Sequence, residues 1–126
     1  MRTQFINDVK QAINKLMKQG SPAVDFNLEC LYRTGDGNKC LVGHLIEDEE
    51  YHQDLEEHDV TEYRVYAAVN HSLGYSLKEE ELNLLFHLQK AHDNLAYFHS
   101  MEISWEEALE REIKRKVSNY RELGLL

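Results

Sequence analysis

Four side chains in this sequence have the chemistry for catalysis or metal binding: Cys30, Cys40, His44 and His92. A thiol beside an imidazole, with a third group to orient the ring, is the arrangement of a cysteine nucleophile. Cys40 and His44 are four residues apart, so a helical turn over 41–45 would bring them together, and Glu47 or Asp93 could orient a histidine. Cys40, His44 and His92 are thus the candidate catalytic set. With Cys30 added, the same residues form a conceivable tetrahedral zinc site. Spacing argues against both. No Cys-x-x-Cys, His-x-x-x-His or His-Glu-x-x-His occurs, and such local spacings are what make zinc motifs discriminating. Two small buried apolar side chains facing each other across a turn is the simpler reading of the cysteines. No cofactor is expected.

A second constellation is a pocket. On a helical wheel over residues 76–98, Gln89 and His92 fall in the arc of Leu84, Leu88, Ala91 and Leu95, while Lys90, Asp93 and Asn94 point away. A polar group on an apolar face needs a partner, because leaving it unpaired costs roughly 1–3 kcal/mol. That partner is either a neighbouring backbone group or a ligand. In the second case Tyr32, Arg33, Cys40, His44, Gln89 and His92 would form the pocket. Arg33 could then clamp a phosphate or carboxylate, and the histidines could act as acid and base. His52, His58, His71 and His87 sit among polar neighbours and are expected to be exposed.

Charge supplies a third candidate. The net charge is −9, and nine acids with no Lys or Arg lie between Glu47 and Glu62. Outside that stretch the remaining acids balance the bases. Such a surface repels nucleic acid and attracts basic protein surfaces. Glu47, Asp48, Glu49, Glu50, Glu56 and Glu57 are therefore the candidate binding residues, for a protein partner. The run lacks the Asp-x-Asp-x-Asp-Gly order of a calcium loop. Arg111, Lys114, Arg115, Lys116 and Arg121 form a basic end that could dock on the acidic run, within one chain or in a homo-oligomer.

These residues need elements to position them. At 126 residues the chain fits a single domain, 1–126, able to bury a core without staples. No apolar run approaches the roughly 20 residues needed to span a bilayer. The amphipathic start, Met1-Arg-Thr-Gln-Phe-Ile, lacks a signal-peptide pattern, so a reduced, cytoplasmic setting is expected. Phe5, Val9, Ala12, Ile13 and Leu16 mark a helix over 4–18, ended by Gly20-Ser-Pro22. Three cap-like patterns, at Asp59–Glu62, Ser76–Glu79 and Ser104–Glu107, open helices over about 61–73, 76–98 and 105–123. Leu28–Tyr32 and Lys39–Val42 read as short strands around the turn Arg33-Thr-Gly-Asp-Gly-Asn38. A short helix or turn over 44–51 and an exposed acidic connection over 52–58 follow. The expected class is α+β and mainly α: about four principal helices with one short hairpin, residues about 28–42.

The stretch Cys30-Leu-Tyr-Arg33, with Gly37-Asn-Lys-Cys-Leu-Val-Gly-His-Leu-Ile-Glu-Asp-Glu-Glu-Tyr51, resembles a family of small uncharacterised bacteriophage and prophage proteins. The family pattern is Cys-x-Tyr-Arg, a Gly-rich turn, Lys/Arg-Cys-Ala-Val-Gly, then Ile-Pro-Asp-Glu-x-Tyr. Leu88-Gln89, His92-Asp93, Trp105 and Tyr120 are similar to its later signatures. Leu41 stands where the family often has Ala, and Glu47 where it often has Pro, which weakens a helix start there. The resemblance implies a phage-encoded protein acting in the host cytoplasm and supplies no activity. Together these readings favour a non-enzymatic accessory protein that binds through its acidic surface, for instance to inhibit a host factor. The alternative is a small-molecule-binding or hydrolytic protein whose pocket lies between the hairpin and the long helix.

Overall fold

The computed structural model describes residues 1–126 as an all-helical chain. Its elements are α1 (Thr3–Gln19), α2 (Tyr63–Leu73), α3 (Glu79–Asp93), α4 (Trp105–Lys116) and the single turn α5 (Tyr120–Leu123). Short 3₁₀ turns lie at Val42–Leu45, Asp48–Glu50, Gln53–Leu55 and Phe98–Ser100. The α+β expectation is thereby corrected. No strand forms, and residues 28–42 do not pair as a hairpin. Two isolated antiparallel bridges, Val24 with Cys30 and Arg33 with Lys39, are the only β-type pairing.

The physical reason lies in burial. Cys40, Leu41 and Val42 are all fully buried, followed by Leu45 and Ile46. A half-buried strand would alternate its faces. A run buried on every side instead coils into a 3₁₀ turn between α1 and α2, which pack on it from either side. Gly43 permits this, since a Cβ there would lie 2.2 Å from the Tyr32 carbonyl oxygen.

The core is one cluster. α1 turns Phe5, Val9, Ala12, Ile13 and Leu16 inward, the four larger side chains each contributing roughly 1.5–3 kcal/mol. α3 packs most extensively on α4, and α4 also covers α1. Trp105 joins the three, donating Nε1–H to the Leu16 carbonyl at 2.7 Å. Its ring meets Phe98 and His92 edge-on, with centroids 5.2 and 6.5 Å apart.

Local capping explains where the helices depart from the sequence reading. Ser104 caps α4 as expected, accepting from Glu107 N–H at 3.1 Å. Asp59 instead spends its carboxylate on a turn, accepting from the Thr61 N–H and hydroxyl. Glu62 becomes the cap of α2, accepting from Arg64 N–H at 2.8 Å. α3 starts at Glu79 because Glu81 reaches back to Lys78 N–H. The fully buried Glu81 side chain also takes a two-toothed clamp from Arg2, both contacts at 3.0 Å. Burial opposes the Glu81 charge, but Arg2 and the Lys78 N–H outweigh it and hold the carboxyl below its usual range. No helix is long and apolar enough to cross a membrane.

Candidate functional site

The irregular segment from Ala23 to Gly43 replaces a β ladder with side chains. Gln19, the last residue of α1, does for Lys39 what a neighbouring strand would do. It accepts from Lys39 N–H at 2.9 Å and donates to Lys39 C=O at 3.0 Å. Gln89 accepts from Val42 N–H at 3.0 Å, and His92 Nε2 accepts from Ala23 N–H at 3.0 Å. Glu56, only 8% exposed, accepts from Tyr32 N–H at 2.8 Å, Arg33 N–H at 3.3 Å and Tyr51 O–H at 2.7 Å. Buried backbone donors must be satisfied somewhere. Here four side chains from three separate regions satisfy them.

These bonds occupy groups that the sequence offered for chemistry. His92 Nε2 is an acceptor, so its proton sits on Nδ1, which donates to Asp93 Oδ1 at 2.9 Å. Cys30, His92 and Asp93 do cluster, with potential ligand atoms within 4.8 Å of one another. A metal on Nδ1 would have to displace that proton while Nε2 keeps its backbone donor, leaving an imidazolate. The donor set does not fit a zinc ion. Cys40 and His44, the other two members of the sequence-based zinc set, lie outside this cluster.

His44 Nε2 faces Gln19 Oε1 at 3.0 Å. Because that oxygen also accepts from Lys39 N–H, His44 is the donor. Burial, with Lys39 and Lys15 nearby, pushes its pKa down to about 4. The unfolded chain, with an ordinary histidine near 6.5, therefore binds the extra proton first as pH falls. The contribution is complete above pH 6.5 and lost on acidification toward 4. A His44→Gln variant keeps a donor and cannot titrate. Its unfolding midpoint is expected to vary less than the wild-type midpoint between pH 6.5 and 4, read from denaturant curves at each pH.

The cysteines are poor nucleophiles. Burial pushes the Cys40 thiol well above the ordinary range, and burial beside Asp93 raises Cys30 to about 12. Both are free thiols. Arg33 does not join a pocket with His92. It reaches the 46–51 turns, donating to Asp48 Oδ1 and Ile46 C=O, each at 2.7 Å, with its guanidinium over the Tyr51 ring. Of the sequence-based catalytic set, His92 bonds Ala23 N–H and Asp93, and His44 Nε2 bonds Gln19.

Tyr32, Cys40 and Gln89 do share a cavity, of about 210 Å³, with Cys30, Asp59 and Asp93. Asp93, which the helical wheel points away from the core, lines it and anchors both Gln89 and His92. Across Leu31, Glu56, Glu57 and His58 the cavity meets a wider cleft of about 550 Å³. That cleft brings Asp25 and Glu29 from the first loop together with Asp54 and Glu57, and His58 and Arg64 line it as well.

The acidic segment is therefore divided. Glu47, Asp48 and Glu49 border a depression shared with Lys15 and Lys39, and Glu50 pairs with His71. Asp54 and Glu57 line the wider cleft with Asp25, Glu29 and Glu56, where His58 and Arg64 are the basic groups, and Asp54 also borders a groove with Leu55 and Ala67. Glu56, expected on the binding surface, is instead an internal support. The basic end of α4 is largely spent on its own helix: Arg111 pairs with Glu107, Lys114 with Glu110 and Arg115 with Glu112.

Sequence reasoning missed Gln19, Asp25 and Glu29. Gln19 carried a faint signal, as a polar residue at the end of an apolar helix just before Gly20-Ser-Pro22. Asp25 and Glu29 carried none, because their partners in the cleft come from residues 53–64. Comparison with protein-family models, curated proteins and solved structures finds no match to this chain in any of the three.

Proposed function

We propose that this is a non-enzymatic binding protein that engages a basic region of a partner protein through its acidic cleft. The observation that carries the reading is the convergence of Asp25, Glu29, Asp54 and Glu57 around one concavity. Like charges held together on a fixed scaffold raise the local potential and steer cationic partners. The raised thiols and the occupied histidines favour binding over catalysis. A phage-encoded accessory role in the host cytoplasm, the setting implied by the resemblance at Cys30–Tyr51, is consistent with it.

The test is charge neutralisation that spares Glu56. A chain carrying Glu29→Gln, Asp54→Asn and Glu57→Gln should fold normally, because all three residues are exposed. Its capture of bacterial proteins at moderate salt is expected to fall by about tenfold or more. Capture equal to wild type would overturn the proposal.

A further inference from the structure

The depression of about 430 Å³ beside the 42–45 turn carries charges of both signs and shares no lining residue with the acidic cleft. Lys15 of α1 and Lys39 line it together with Glu47, Asp48 and Glu49. Asp48 is taken by Arg33. Lys15, Lys39, Glu47 and Glu49 form no ion pair within the chain, although all four border one concavity. The backbone that carries them is fixed. Gln19 bonds Lys39 N–H and C=O as well as His44, which joins the end of α1 to the turn. Glu47 N–H donates to Ser72 Oγ of α2 at 2.8 Å, and Arg33 holds Ile46 C=O. The lysines and the glutamates thus stand on separate, anchored segments.

A surface of one sign repels its own copy, whereas a surface that keeps its two signs on separate segments can complement itself. In a two-fold pairing, residue i meets residue j and j meets i. The numbers match here, two free lysines against two free glutamates. A purely cationic or purely anionic partner would answer only half of these charges. We infer that this depression is the interface of a two-fold dimer, its occupant a second copy of the chain, with Lys15 and Lys39 of each copy set against Glu47 and Glu49 of the other. The cations are not those at the end of α4, which are spent on their own helix. Opposing the dimer is the net charge of −9 on each copy. At about 0.15 M salt the screening length is about 8 Å, so distant acids are muted while pairs in contact persist. Exposed pairs are individually weak, so the dimer is reversible and salt-sensitive.

Sedimentation equilibrium of the full chain at about 0.15 M salt is expected to show monomer and dimer, shifting to monomer at about 1 M. Lys15→Glu with Lys39→Glu should leave only monomer, as should Glu47→Lys with Glu49→Lys. An equimolar mixture of these two double variants should dimerise again, because each offers the sign the other lacks. Both keep a net negative charge, so general attraction between opposite proteins would not produce that recovery. Lys15→Gln and Glu49→Gln, single changes at exposed positions, test the interface even if a double variant fails to fold. Each should weaken the dimer about tenfold, since the two-fold axis repeats every contact. A wild-type chain that stays monomeric up to about 1 mM overturns the inference. So does a dimer indifferent to salt, single variants that dimerise as wild type does, or a mixture that stays monomeric while its components melt normally.

Discussion

Gly43→Ala is expected to destabilise the chain by about 3 kcal/mol, roughly 10 °C in melting temperature. The added methyl would lie 2.2 Å from the Tyr32 carbonyl oxygen and 3.1 Å from its carbon. Those atoms are backbone, and they cannot swing aside as the end of a lysine could. Tyr32 is also tied to Glu56 through its N–H and to the His58 carbonyl through its hydroxyl, so relief in one place opens a defect in another. Gly35→Ala is the matched control. Nothing lies within 4 Å of a Cβ there, and its effect should stay within about half a kcal/mol. Denaturant unfolding followed by circular dichroism checks both. Similar midpoints for Gly43→Ala and wild type would show that the turn relaxes at little cost.

Glu56→Ala is expected to cost about 3 kcal/mol as well, by a different route. It strips the acceptor from two backbone N–H groups and one phenol at once. It also carries a spectroscopic signature. Burial, together with the hydrogen bond to Glu56, raises Tyr51 to about 12. In the variant the Tyr51 ring should titrate closer to the ordinary value near 10, followed by NMR of the labelled ring. A Glu56→Gln chain keeps one acceptor and should fall between the two in stability. If Glu56→Ala were as stable as wild type, the carboxylate would be an ordinary surface acid after all.

The contrast between α4 and the 23–43 segment shows which parts of this fold were legible from residue order. Ser104 and the N–H of Glu107 are three residues apart, so a local pattern could specify the cap, and it did. α1 was equally plain, because Phe5, Val9, Ala12, Ile13 and Leu16 repeat on one face and that face is buried. The supposed hairpin failed for the opposite reason. Glycines and Asx residues correctly marked a reversal at 34–38, where Thr34 N–H bonds Asn38 C=O. Whether the flanks then form a ladder depends on competing acceptors, and these come from Glu56, Gln89 and His92, well away in sequence. Glu56 was hidden among eight other acids of the same run. Nothing local distinguishes a carboxylate that turns inward from its neighbours that face water. At the candidate site, the inward side chains of Gln89 and His92 were legible from helical phase, and their partners were not.

The exchange of a ladder for side chains also orders events in folding. A hairpin closes on its own in microseconds, since its partners are neighbours in the chain. This segment cannot do so. The bond from Ala23 to His92 spans 69 residues, and that from Val42 to Gln89 spans 47. Both acceptors reach their places only after α3 has docked, and the loop that carries Asp25 and Glu29 begins at one of these bonds. Contacts of such sequence separation form late because their closure entropy comes first. A partly folded chain would therefore hold its helices while its first loop, and with it one wall of the cleft, was still unset. The binding face is a property of the finished fold, and a chain that has not completed it has nothing yet to present.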